Sequence, residues 1–353
     1  MKKREMNFEL LRMIAMCMII GLHYLDKGNV LGNFVEVQDI KGYIPWIFEA
    51  FFFCSVNVYV LISGYFLVEK EIKIKKAFTL WGQVLFYSLL LGGIALGFGL
   101  TDLEELNIYR LAYYLFPLVT EHYWFVTAYI LLYLLLPFIN PVLKKMEQKQ
   151  MRNSLLLLAG VLCISKTILP LNLAIDKNGY DVLWFICLYL TGAYYKRFGF
   201  AYVSTKARGI LLYVFSSTGI FLCSFVLKTI YTKTGHLQDI VTYAYSYNHL
   251  LCYLAAIGLF VCFSHIAIKS EKAGKIIGTF ASASFGVYLL HEHMDFRYVW
   301  QPWLMVEKQA ESVGFPVLMF GSILLVFFVC AMIETVRQKV FQKIREVVKK
   351  KKG

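Results

Sequence analysis

Long apolar runs alternate with short, lysine-rich polar stretches along the chain. Runs such as SLLLLAGVLCISKTILPL, from Ser154, and LMFGSILLVFFVCAMI, from Leu318, approach the length that crosses a bilayer and far exceed a core strand. The pattern predicts an all-α, polytopic membrane bundle of about ten transmembrane helices, near 8–25, 46–68, 77–99, 110–141, 153–172, 181–198, 208–230, 247–268, 276–293 and 315–336. The fourth run is too long for one span. It is expected to begin with a tilted or interfacial piece around YRLAYYLFPL, with Pro117 and Pro137 as breaks or bends.

Composition agrees with lipid as the solvent. The chain is 59% hydrophobic and 17% charged, against about 25% charged in soluble domains. A formal net charge of +13 invites a nucleic-acid reading, but the Lys and Arg residues lie in clusters between apolar runs. With the N-terminus inside, 26 of them fall in inner segments and 8 in outer ones. That is the positive-inside distribution, so no nucleic-acid partner is expected and both termini are expected in the cytoplasm. The basic N-terminus followed by an apolar run, without a small-residue cleavage pattern, reads as an uncleaved first span. Residues 1–336 are expected to form the membrane domain of a multi-pass cell-membrane protein. Residues 337–353 then form a basic cytoplasmic tail lying against anionic headgroups. The eight cysteines lie in or beside apolar runs without a CxxC pair, so neither a disulfide framework nor a zinc site is indicated.

Ionisable residues inside spans are costly and mark candidate chemistry. The first span carries Arg12 and His23, eleven residues apart. At 100° per residue they fall about 20° from each other around the helix and about 16 Å apart along it. A cation at the inner end and a titratable base at the outer end suit an extended anionic donor reaching through the membrane. The plainer alternative is an arginine that snorkels or pairs with Glu9, plus an interfacial histidine. On the outer side, His122, Trp124, Asp181, Trp184, Asn248, His249, His291, Glu292 and His293 lie near expected span ends. They can line an acceptor site, although Trp and Tyr at that depth also form the ordinary interfacial belt. No pair of histidines has ligand spacing on one helix face, so no metal is expected. Lys166 and Asn57 are expected to make polar contacts inside the bundle.

RMIAMCMIIGLH resembles the R-x10-H pattern in the first span of the membrane-bound acyltransferase 3 family, bacterial integral-membrane O-acyltransferases. FFFCSVNVYVLISGYFL, HYWFVTAYILLYLLLPF, WFICLYLTGAYYKRF and SFGVYLLHEH resemble further family segments in the same order. The resemblance implies transfer of an acetyl or other acyl group from acyl-CoA to a hydroxyl of a cell-envelope or exported polysaccharide. It implies His23 as the catalytic residue and Arg12 as its motif partner. Neutral imidazole can take the acceptor's proton or carry the acyl group itself, and both routes stay open. Asp26, one turn on, is a candidate to orient the ring. Further implied donor-binding residues are Ser63, Gly64 and Tyr65, read as a turn closing the second span, and Lys73 and Lys76. Relatives carry paired arginines near the last two, and lysine offers only a point charge to a phosphate. Trp124 and His291 are the implied acceptor-side residues. The membrane domain, or a partner acyltransfer protein, is expected to complete the transfer. The alternative is a non-enzymatic transporter or flippase for polysaccharide precursors. Against it, the ionisable groups sit near span ends, and no inverted pair of broken spans occurs.

Overall fold

The computed structural model describes residues 5–170 and 176–350, apart from the side chains of Leu103 and Lys349. Lys2, Lys3 and Arg4, the last two residues of the fifth expected span, and Lys351 and Lys352 lie outside the described residues. The described residues form helices and no strand. In chain order these are α1 Met6–Lys27, α2 Ile40–Phe52, α3 Ser55–Leu67, α4 Lys75–Gly97, α5 Ile108–Leu115 and α6 Trp124–Lys145. They continue with α7 Gln148–Ile168, α8 Val182–Phe198, α9 Lys206–Thr234, α10 Leu250–Ser264, α11 Glu271–His291 and α12 Phe315–Lys350.

Eight of these, counting α2 and α3 as one rod, are long and apolar enough to cross a membrane: α1, α2–α3, α4, α6, α7, α9, α11 and α12. The sixth and eighth expected spans are α8 and α10, of 17 and 15 residues. At 1.5 Å per residue both fall short of a hydrocarbon core of about 30 Å. Burial explains how short helices persist there. Ten residues of α8 and eleven of α10 are buried, so neighbouring helices surround them in place of lipid. Peripheral helices turn apolar side chains outward, as with Leu156, Leu157 and Val161 on α7 and Leu211, Phe215 and Leu222 on α9. Such faces have lipid as their solvent.

Several local expectations change. The long fourth run splits into α5, capped by the Asn107 side chain, and α6, with Pro117 in the turns between them. Pro137 and Pro141 lie inside α6 without ending it. Ser63, Gly64 and Tyr65 are helical residues of α3 and do not form a turn. The helix that carries the last expected span does not end at residue 336, because α12 runs on to Lys350. Its 36 residues extend to about 54 Å, well beyond a bilayer core of about 30 Å.

Two reciprocal glycine contacts set the closest helix approaches. A Cβ on Gly64 would meet the Tyr189 carbonyl oxygen at 2.1 Å, and one on Gly192 would meet that of Leu61 at 2.1 Å. Thus α3 and α8 touch backbone to backbone. Gly209 and Gly258 do the same for α9 and α10, where an added Cβ would lie 2.6 Å from Cys262 N and 2.5 Å from Tyr213 N. Without a hydrophobic drive between helices in lipid, such small-residue seams carry van der Waals packing that larger residues forbid. Gly192→Ala is therefore expected to destabilise the bundle by about 1–3 kcal/mol, the ordinary range for overpacking. Gly82→Ala, with nothing within 4 Å of the new methyl, should be neutral or slightly stabilising. Thermal unfolding of the two variants in one detergent checks this; equal midpoints would refute the seam.

Candidate functional site

The first helix, α1, crosses the bundle against α3, α11 and α12. Its one-sided spacing of Arg12 and His23 turns both into a single cavity of about 260 Å³. The remaining wall comes from α3, the first turns of α6, and α11, with Leu80 and Tyr247. Most of it is apolar or aromatic, including Met16, Ile19, Trp124 and Phe125. At one end of the cavity the Arg12 guanidinium pairs with Glu9 at 2.6 Å, and its backbone carbonyl accepts from the Tyr59 hydroxyl at 2.6 Å. The Glu9 alternative is therefore present, and the paired arginine still lines the cavity.

At the other end, His23 meets the segment that closes α11. Its Nδ1 lies 3.0 Å from His291 Nε2 and 3.1 Å from a Glu292 carboxylate oxygen. The His291 Nδ1 lies 2.6 Å from the Val287 carbonyl, one turn back on its own helix. A carbonyl only accepts, so this Nδ1 carries the hydrogen and a neutral His291 leaves Nε2 as an acceptor. Both neighbours of His23 Nδ1 are then acceptors, and Nδ1 donates. The hydrogen of a neutral His23 is thereby committed to Nδ1, leaving Nε2 as a bare base.

Cations surround Glu292. The Lys27 ammonium donates to both oxygens at 2.5 Å, and Arg297 Nη1 stands 3.5 Å away. Lys27 follows His23 by four residues, so the two share a face of α1. Gln301 anchors the same corner, donating to the His23 carbonyl at 3.4 Å and the Arg297 carbonyl at 2.7 Å. The donor atoms of His23, His291 and Glu292 lie within 4.8 Å of one another, a spacing that can hold a metal ion. Lys27 and Arg297 already overcompensate the one carboxylate, and their charge opposes a cation. The donor set therefore suits a hydrogen-bonded cluster better than a metal.

The other sequence candidates divide clearly. Ser63 lines the cavity, its hydroxyl 3.0 Å from that of Tyr129, and Trp124 lines it as well. Gly64 faces the backbone of α8 instead. Tyr65 points its hydroxyl at Glu5, 3.3 Å away, with the Lys196 ammonium over its ring. Lys73 and Lys76 are exposed outside the cavity wall. His291 stands behind His23 and not in the wall, while Asp26 is exposed and Glu292 takes the place beside the ring. Asp181 and His249 cap α8 and α10. Trp184 donates to Asn57, and Asn248 to the Leu162 carbonyl and Asp176. Lys166 is buried against Asp176 and Asn178, each at 2.6 Å, so it and Asn57 serve packing. Tyr59, Tyr129 and Tyr288 were not among the candidates, although Tyr288 precedes His291 by three residues on one face of α11.

Behind the site, a second polar cluster ties α5 to the chain after α11. The Asp295 carboxylate accepts from Arg110 at 2.7 Å, Tyr114 at 2.9 Å and Thr101 at 3.1 Å. His122, in the turns before α6, accepts the Met294 amide at 3.0 Å. Burial, then the nearby His293 and Arg297, push its pKa down to about 3.

A family model described as an acyltransferase domain matches residues 7–335, nearly the whole chain, so the chain belongs to the acyltransferase 3 family. No curated protein and no solved structure matches it.

Because folding depresses the His122 pKa below its usual 6.5 to about 3, the folded state binds fewer protons than the unfolded state between those values. The stability tied to neutral His122 is complete above about 6.5 and is lost as pH falls toward 3. The thermal midpoint in detergent should drop on acidification from pH 7.5 to 5, and His122→Gln should flatten that drop. An unchanged slope in the variant would exclude His122 as the titrating group.

Proposed function

We propose, from membership of the acyltransferase 3 family as premise, that this integral-membrane acyltransferase carries an acetyl or other acyl group across the membrane. The donor is a cytoplasmic acyl-CoA, and the acceptor is a hydroxyl of a cell-envelope or exported polysaccharide. The reading takes the chain as ten spans with both termini in the cytoplasm, supported by the basic residues gathered between alternate helices. Arg12 is then on the donor side and His23 on the acceptor side. The observation that carries it is the single cavity lined by both, with His23 committed to a bare Nε2.

In this mechanism the acceptor oxygen attacks the thioester carbon while its proton passes to His23 Nε2. The imidazolium formed keeps its Nδ1–H on Glu292, whose charge balances it as the ring becomes positive. Collapse of the intermediate breaks the C–S bond, and the proton leaves Nε2 with the thiol. Lys27 and Arg297 hold Glu292 in place, which aims the ring. At the inner mouth, Arg12 offers charge to the donor. The exposed Lys73 and Lys76 are the further candidates for its phosphates, and the Trp124 face suits the flat side of a sugar. Purified protein should release thiol from acetyl-CoA, and His23→Ala should lower turnover by about 10²- to 10⁴-fold, the contribution of a positioned base. Undiminished glycan acylation in cells carrying the folded His23→Ala protein would defeat the assignment.

A further inference from the structure

The cavity contains more polar groups than a base alone requires. On α11, Ser284 and Tyr288 stand one turn apart, about 40° around the axis, and both line the wall. They are 3% and 5% exposed; the Ser284 hydroxyl faces that of Tyr59, and the Tyr288 oxygen faces the Phe125 amide, neither in full hydrogen-bond geometry. An amide can only donate, so the Tyr288 hydrogen is left without an acceptor, and a buried donor of this kind marks the place of a ligand oxygen. Tyr288 is the one beside the base: its ring centroid is 6.2 Å from that of His291, which touches His23.

Across from Tyr288 is the start of α6. Trp124, Phe125 and Val126 line the cavity, and the Phe125 and Tyr288 ring centroids are 5.9 Å apart. This 22-residue helix begins without a side-chain cap. The Val126 and Thr127 amides close on the Tyr123 carbonyl, and of the two amides before them that of Phe125 faces the Tyr288 oxygen. The end of a helix carries about half a positive charge on its free N–H groups. The Tyr288 hydroxyl and the positive end of a helix thus meet at one largely apolar cavity that His23 also lines.

We propose that Tyr288 and the first turn of α6 form the oxyanion site, with the Tyr288 hydroxyl donating to the acyl carbonyl oxygen as it becomes negative. This deepens, and rests on, the thioester reading above. When the acceptor oxygen forms its bond to carbon, the carbonyl π pair moves onto the oxygen held by Tyr288. When that pair returns, the C–S bond breaks and the sulfur takes the proton from His23 Nε2. Tyr288 keeps its own proton throughout. Ser284, one turn nearer Arg12, faces the part of the donor that leads away from the thioester.

The test uses the full chain in lipid nanodiscs with acetyl-CoA as donor, following thiol release, and coenzyme A alone as the binding probe. Tyr288→Phe keeps the ring and deletes only the hydroxyl. It should lower kcat by about 10²- to 10³-fold, the loss typical of one oxyanion donor. KM for acetyl-CoA and Kd for coenzyme A should stay unchanged, with the same thermal midpoint as the parent. Full activity in Tyr288→Phe, or a loss confined to KM and Kd, overturns the oxyanion role while leaving the thioester reading intact. A parent protein that neither binds coenzyme A nor turns over acetyl-CoA overturns both.

Discussion

A carboxylate sunk between helices of a membrane bundle must be answered by charge, and Glu292 is answered by Lys27 and Arg297. That requirement organises the His23 end of the cavity. Lys27 comes from α1 and Glu292 from the residue that ends α11, so satisfying the charge clamps the two helices together. The same clamp brings His23 against His291 and Glu292, and the Val287 carbonyl then decides where the hydrogens lie. Removing one partner would leave the others buried and unpaired, which is far more costly than any contact the pair itself makes.

The rest of the fold keeps that corner in register with the Arg12 end. Backbone-to-backbone seams at Gly64–Gly192 and Gly209–Gly258 let α3, α8, α9 and α10 pack closely enough to form a rigid interior. Against it, α1 runs straight from Arg12 to His23. A separate polar knot at Asp295, fed by Arg110, Tyr114 and Thr101, holds the chain after α11 from the other side. A third, at Glu334, takes Tyr87 at 2.6 Å and both arms of Arg337 where α4 meets α12. In each case a buried acid accepts from at least one donor on an element distant in sequence, which fixes helix positions that apolar packing alone leaves free to slide.

An apolar cavity makes the few polar groups in it count for more. Aliphatic and aromatic walls exclude water, so a charge developing near His23 sees a poorly screened environment. Tyr288 and the start of α6 already line that cavity, so their dipoles are in place as the charge appears.

Read alone, the chain shows its solvent, its helices and the facing of Arg12 and His23, because hydropathy, loop charge and the 3.6-residue turn are all local properties. It also carries enough ordered motifs to mark the family. Contacts between helices are not local. Nothing in the residues around His23 shows that its partner is Glu292, at |i−j| of 269 by position, while exposed Asp26 waits one turn away. Local pattern likewise reads Gly64 as the end of a helix, whereas the bundle uses it as the floor of a helix crossing. Span length misjudges α8 and α10, which are short because other helices, and not lipid, cover their ends. The tertiary structure alone decides which donors and acceptors meet, since burial leaves each polar group only the partners that distant helices bring to it.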